Sequence, residues 1–288
     1  MFVLLLCLSF ITHDVADPAA EVATIFTQVH PRNSSWGSFE KSLQQKRAVV
    51  LVHGLFPHPI SATKPFTARL HSWQQPESTL VSTLGKSSDV YAFAYSQNVP
   101  VETVSASFGL RFGVETLRSM GYEEIILLGH SAGGLICRSL VEDYPQEPVS
   151  KVIQLASPNG GSILAWATIL VRRPQEDFLR SLSKQQRLER AGKQIPAQVQ
   201  FVCVVCNGAL IGDGWVANKN QWTHDLQAQG IPAYIWWTSH HGVIRTKKNA
   251  EKLRALLEQE LPRWNGTQVS LARKKLWWMG NEPTTSKR

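Results

Sequence analysis

The sequence predicts an α/β fold, a mostly parallel sheet flanked by helices, on three observations. Short β-branched apolar runs recur along the chain, each long enough for one strand and too apolar to face water. Segments of helical periodicity separate them, and glycines stand where strand gives way to helix. Alternation of this kind argues for right-handed crossovers over a sheet covered on both faces.

Residues 48–52 (AVVLV) make the first such strand, and residues 90–95 (VYAFAY) the second. Val104, Phe108, Leu110, Phe112, Val114 and Leu117 recur at helical spacing, which predicts one helix up to Met120, stopped by Gly121. Strand 125–129 (IILLG) follows, then helix 135–144 (LICRSLVEDY) ahead of Pro145, then strand 152–157 (VIQLAS). Strands at 199–205 and 233–237 and a last helix at 248–261 complete the pattern, which residues 162–198 interrupt. No internal repeat is visible.

With 288 residues, 43% hydrophobic and 18% charged, the chain can bury one large core, which excludes disorder and fibrous repeats. No stretch approaches the ~20 apolar residues of a membrane-spanning helix. The net charge of +8 is uneven, because residues 262–288 hold six basic residues and one acid. No basic cluster is interleaved with aromatics, so a nucleic-acid partner is not expected. That tail reads as a disordered end, with a membrane-interface role for Arg273, Lys274, Lys275, Trp277 and Trp278 as the alternative.

Residues 1–20 read as a secretory leader. Residues 2–11 (FVLLLCLSFI) have the length of an apolar core, and Ala16, Ala19 and Ala20 offer small residues for cleavage, although no Lys or Arg precedes the run. A packing strand or a misplaced start is the alternative. Secretion or membrane association is therefore the expected location, with the cytoplasm as the alternative. Cys137, Cys203 and Cys206 read as buried free thiols, since three residues along one strand span roughly 10 Å, too far for a disulfide. The sequons at Asn33 and Asn265 read as chance matches.

The chemistry begins at Gly129-His130-Ser131-Ala132-Gly133, a G-x-S-x-G set between a strand and a helix. A sharp turn there would present the Ser131 hydroxyl above the sheet. A serine hydroxyl is a weak nucleophile, so a base and an orienting acid must follow. Between residues 199 and 241 the only acids are Asp213, in a glycine-flanked loop after a strand, and Asp225, in a polar segment resembling a surface helix. Asp213 is the expected acid, and Asp143 an outside candidate. The last strand runs into His240-His241, which supplies the base. Amides of Ala132 and of Leu55, in the His53-Gly54-Leu55 loop, are the expected oxyanion donors.

Over residues 47–261 the sequence resembles the α/β-hydrolase superfamily, in particular lipase- and carboxylesterase-like serine hydrolases. An HG loop, a GHSxGG elbow, a DG acid loop and an H-x-G-hydrophobic loop carry the likeness, with residues 156–162 (ASPNGGS) similar to the T-P-x-x-G-S turn of lipases. It departs at Pro57, where many such lipases keep glycine, and in doubling the histidine. The resemblance implies the α/β-hydrolase fold, hydrolysis of carboxylic esters through an acyl-enzyme, and no cofactor or metal. Ser131 would be nucleophile, Asp213 the acid, and His240 rather than His241 the base. It also implies a lid-like insertion at 162–198 within a domain spanning 21–261. The apolar residues 163–171 would meet an acyl chain and the basic residues 172–193 anionic headgroups, against an ordinary pair of packed and solvated helices. A small-molecule or lipid ester is the expected partner. Acyl transfer, thioester or amide cleavage, and a silent lipid-binding member of the fold are the alternatives.

Overall fold

The computed structural model describes residues 22–32, 39–56, 63–162, 175–208 and 212–277. The leader, Asn33, Pro57, residues 163–171 of the insertion and the end of the tail with Trp278 lie outside them. The strands are β1 (Thr24–His30), β2 (Arg47–Val52), β3 (Asp89–Tyr95), β4 (Glu124–His130), β5 (Lys151–Leu155), β6 (Gln200–Cys206) and β7 (Ala233–Trp236). The helices are α1 (Thr79–Leu84), α2 (Val101–Ala106), α3 (Phe108–Ser119), α4 (Ala132–Asp143), α5 (Glu176–Ser181), α6 (Lys184–Glu189), α7 (Asn218–Gln221), α8 (His224–Ala228), α9 (Gly242–Arg245), α10 (Lys247–Glu258) and α11 (Gly266–Trp277).

The seven strands form one sheet in the order β1-β3-β2-β4-β5-β6-β7, parallel except for β1. This is the α/β-hydrolase fold. Alternation along each strand divides the core. Val50 and Val52 of β2 join the cluster under α2, α3 and α4, whereas Val49 and Leu51 join the cluster under α1, α9 and α10. Strand β2, hydrogen-bonded on both sides, pairs Val52 with Phe93 of β3 and Gly129 of β4, which sets the first loop beside the serine elbow.

Four expectations are corrected. Strand β1 pairs antiparallel with β3, an edge strand that the apolar-run criterion misses because TIFTQVH mixes polar and apolar residues. The single helix ending at Met120 is two, since Ser107 is extended (φ −57°, ψ 140°). The break lets α3 lie against β1, where a Cβ on Gly109 would stand 2.1 Å from Thr24 Oγ1 and one on Gly113 2.3 Å from the Phe26 ring. The last predicted helix ends at Glu258 rather than 261. In the tail, residues 266–277 are helical, with Val269 and Leu276 in the core. Asn265 and Gln268 exchange side-chain to backbone hydrogen bonds at 3.0 Å, a capping box that starts this helix.

Three basic residues of the insertion face the body of the domain. Arg187 pairs with Glu102, and Arg190 and Lys193 pair with Asp143. Those charges are therefore engaged within the chain. Asp143 is likewise held away from the histidine loop. Cys137, Cys203 and Cys206 are free and buried. No helix among the described residues is long and apolar enough to cross a membrane.

Candidate active site

Ser131 sits between β4 and α4 with φ 56° and ψ −126°, a strained backbone for a residue with a side chain. Glycines around it make the turn feasible. A Cβ on Gly133 would lie 2.2 Å from the Val52 carbonyl, and one on Gly129 2.5 Å from Gly134 Cα, so α4 packs directly onto the ends of β2 and β4. Below the turn, Gln154 donates to the Gly134 carbonyl at 2.7 Å and accepts from Asn159 at 2.7 Å. Asn159 of the ASPNGGS turn also receives Arg138, which pairs with Glu142 and Asp225. Asp225 is thus partly buried and structural rather than free on a surface helix.

The loops that carry Asp213 and His240 meet as a pair. His240 Nδ1 donates to Asp213 Oδ2 at 2.7 Å, and both residues are buried. The other carboxylate oxygen accepts the Trp215 and Val216 amides at 2.9 and 2.8 Å, fixing the Asp213 side chain. With the proton on Nδ1, Nε2 is left as an acceptor. The Trp215 ring lies nearly parallel to that of His240, with centroids 5.8 Å apart. His241, one residue on, stands at the N-terminal end of α9, is more exposed than His240 and has its pKa lowered, first by burial and then by His240. Ser131, His240, His241 and Leu55 line one pocket of about 440 Å³.

The His53-Gly54-Leu55 loop is braced from outside that pocket. The Gly54 carbonyl accepts from Gln97 Nε2 at 2.9 Å and contacts His53 Nδ1 at 2.7 Å. In a trans peptide the next N–H points the opposite way, so these bonds set the direction of the Leu55 amide. Gln97 Oε1 in turn accepts the Phe56 amide (2.9 Å) and Gln175 Nε2 (3.0 Å). The Ala132 amide opens the first turn of α4, where N–H groups have no partner within the helix.

A histidine cluster surrounds the site. His53 is stacked on Tyr95 at 4.2 Å, His71 lies 4.8 Å from His53, and His130 lies 4.7 Å from His240, centroid to centroid. Burial lowers the pKa of His53 to about 4, holds His71 near 2 and puts His130 well below the usual range. These rings are neutral at pH 7, so they act as hydrogen-bonding and packing groups. Gln97, Trp215 and the cluster escaped sequence reasoning. His53 and His130 stand inside the HG and GHSxGG motifs and Trp215 two residues after Asp213, so these three had a positional signal, whereas Gln97 and His71 had none.

Residues 48–241 match the family model described as palmitoyl protein thioesterase. Among solved structures, mature lipase BlEst2 of Bacillus licheniformis superposes with a TM-score of 0.59 at 17% identity, covering 82% of this chain and 98% of that one. Phospholipase PlaB of Legionella pneumophila gives 0.52 at 17% identity, covering 81% and 63%. Lipase B of Aspergillus fumigatus gives 0.50 at 15%, covering 75% and 54%. Likenesses at such identities concern the fold. No curated protein sequence matches. The matched span takes in the parallel strands β2 to β7, the serine elbow and both loops that face it, and the chain accordingly belongs to the palmitoyl protein thioesterase family, as a hydrolase of acyl ester bonds on the α/β-hydrolase fold.

Proposed function

We propose that the protein is a serine hydrolase that cleaves lipid acyl esters, thioesters included, through an acyl-enzyme on Ser131. The observation that carries this is the buried His240–Asp213 pair, opening with the strained Ser131 elbow into one pocket. In this reading His240 Nε2 takes the Ser131 proton as the hydroxyl attacks the acyl carbonyl. Asp213 holds the imidazole in the required tautomer and stabilises the imidazolium. The Leu55 and Ala132 amides stabilise the oxyanion, each such donor being worth about 3 kcal/mol. His240 then protonates the departing alcohol or thiol, and water, deprotonated by the same ring, releases the acid. The family match favours thioesters, whereas the site geometry suits either bond.

A fluorophosphonate probe and matched oxygen and sulfur esters of increasing acyl length test the reading. Ser131 should be labelled and long acyl thioesters turned over. Absence of labelling at Ser131 in folded protein would reject the mechanism.

A further inference from the structure

Among the described residues lining the pocket none is an aspartate or glutamate, whereas Arg69 and Arg245 both form part of its wall. Both arginines are exposed at their residue level, and among the described residues neither has a carboxylate partner. Arg138, Arg187 and Arg190, by contrast, are each consumed by acids. Arg69 is held over the Phe56 ring at 4.3 Å, and that ring stacks on His71 with centroids 3.4 Å apart, so its charge is placed at the pocket rather than trailing into solvent. Two further wall residues carry buried nitrogens that have no hydrogen-bond partner, Trp73 Nε1 and His71 Nε2, and Trp73 is 4% exposed. Buried polar groups are normally satisfied, so donors left over beside a pocket point to a polar guest.

We infer that this pocket selects acyl substrates bearing an anionic group, carboxylate or phosphate, a few bonds from the reacting carbonyl, with Arg69 and Arg245 as the recognising charges and the Trp73 N–H as an added donor. The inference rests on the hydrolase reading of the same site. Two guanidinium groups without acids beside a wall free of carboxylates favour a negative guest. An acidic lining would repel it. Burial keeps His71 and His130 neutral, so the arginines are the permanent positive charges of the wall at pH 7.

The charge can sit on either side of the scissile bond, and two pairs of substrates separate the cases. One pair is the butyryl thioesters of mercaptopropionate and of its neutral amide. The other is the nitrophenyl hemisuccinate ester and its neutral methyl ester. The ratio of kcat/KM, anionic over neutral, is measured at low and high salt for wild type, Trp73→Phe and Arg69→Gln/Arg245→Gln. In at least one pair the wild-type ratio should be about ten, the scale of one charge-assisted contact. It should fall toward one in the double variant and in high salt, which screens exposed charges. Trp73→Phe keeps the ring and should lower the ratio about three-fold. A wild-type ratio near one in both pairs, or an undiminished ratio in the double variant, overturns the inference while leaving the hydrolase reading intact. Failure of wild type to hydrolyse any of the four substrates overturns both.

Discussion

His130 Nε2 lies 2.8 Å from the carbonyl oxygen of His240, so the residue before Ser131 holds the loop that carries His240. Both rings are buried, and the His130 imidazole stays neutral because burial disfavours its charge. The Nε2–H donor fixes where the His240 backbone stands relative to Ser131. Replacing His130 with leucine should lower kcat by about 10- to 100-fold, the usual effect of slight misplacement, with a smaller change in KM. Steady-state kinetics on a soluble ester, with folding checked by circular dichroism, decide it. An unchanged kcat would show that the contact does not position the base.

Ser131→Ala should remove turnover without loss of fold. The elbow needs small residues where Gly129, Gly133 and Gly134 meet β2, β4 and Ser157, and alanine fits as well as serine. Loss of a triad nucleophile costs on the order of 10⁶ in kcat. Near wild-type ester hydrolysis by the purified variant would reject Ser131.

Gly54 faces Ser131 at close range. A Cβ there would stand 2.6 Å from Ser131 Cβ and 3.2 Å from its Oγ. Gly54→Ala must therefore displace the loop or the elbow, and overpacking of this kind costs about 1–3 kcal/mol. Activity should fall further than thermal stability suggests, because the same shift moves the Leu55 amide. A variant with a normal melting temperature and normal kcat/KM would contradict the placement.

The two histidines should separate cleanly. His240 is bonded to Asp213, whereas His241 stands at the N-terminal end of α9 and no bond joins it to that carboxylate among the described residues. His240→Ala should cost nearly as much as Ser131→Ala, and His241→Ala only a few-fold. The reverse ranking, with both variants folded, would move the base one residue along.

Acid should destabilise the protein before its carboxylates titrate. His53 ordinarily titrates at 6.5 but at about 4 when buried in the fold, so the unfolded chain binds the proton first. The stability that neutral His53 contributes is complete above pH 6.5 and is lost as pH falls toward 4, about 3 kcal/mol in all. His130 acts in the same direction. Melting temperatures from pH 7.5 down to 4.5 should decline steadily, and a flat profile would refute the assignment.

Much of this protein was legible as local pattern. Parallel strands buried on both faces read as continuous apolar runs, and glycines must stand where a helix meets a strand end. Residues 48–52, 125–133 and 199–205 therefore declared themselves, and with them the order of serine, acid loop and histidine loop. The half-polar strand β1 and the break at Ser107 did not, because both are settled by packing across long sequence separations, Gly109 and Gly113 against Thr24 and Phe26.

The sequence by itself determined which residue types were available for the chemistry, because a serine elbow and a Gly-Asp-Gly loop are short-range signals of backbone geometry. Only the tertiary structure decided which of two adjacent histidines turns toward Asp213, since that depends on the β7 to α9 loop folding over His130. It also decided that Gln97, 43 residues from Gly54, braces the His53-Gly54-Leu55 loop, and that Arg69 and Arg245 line one pocket. Distances along the chain carry no information about such meetings. The packing of the loops at the strand ends creates them.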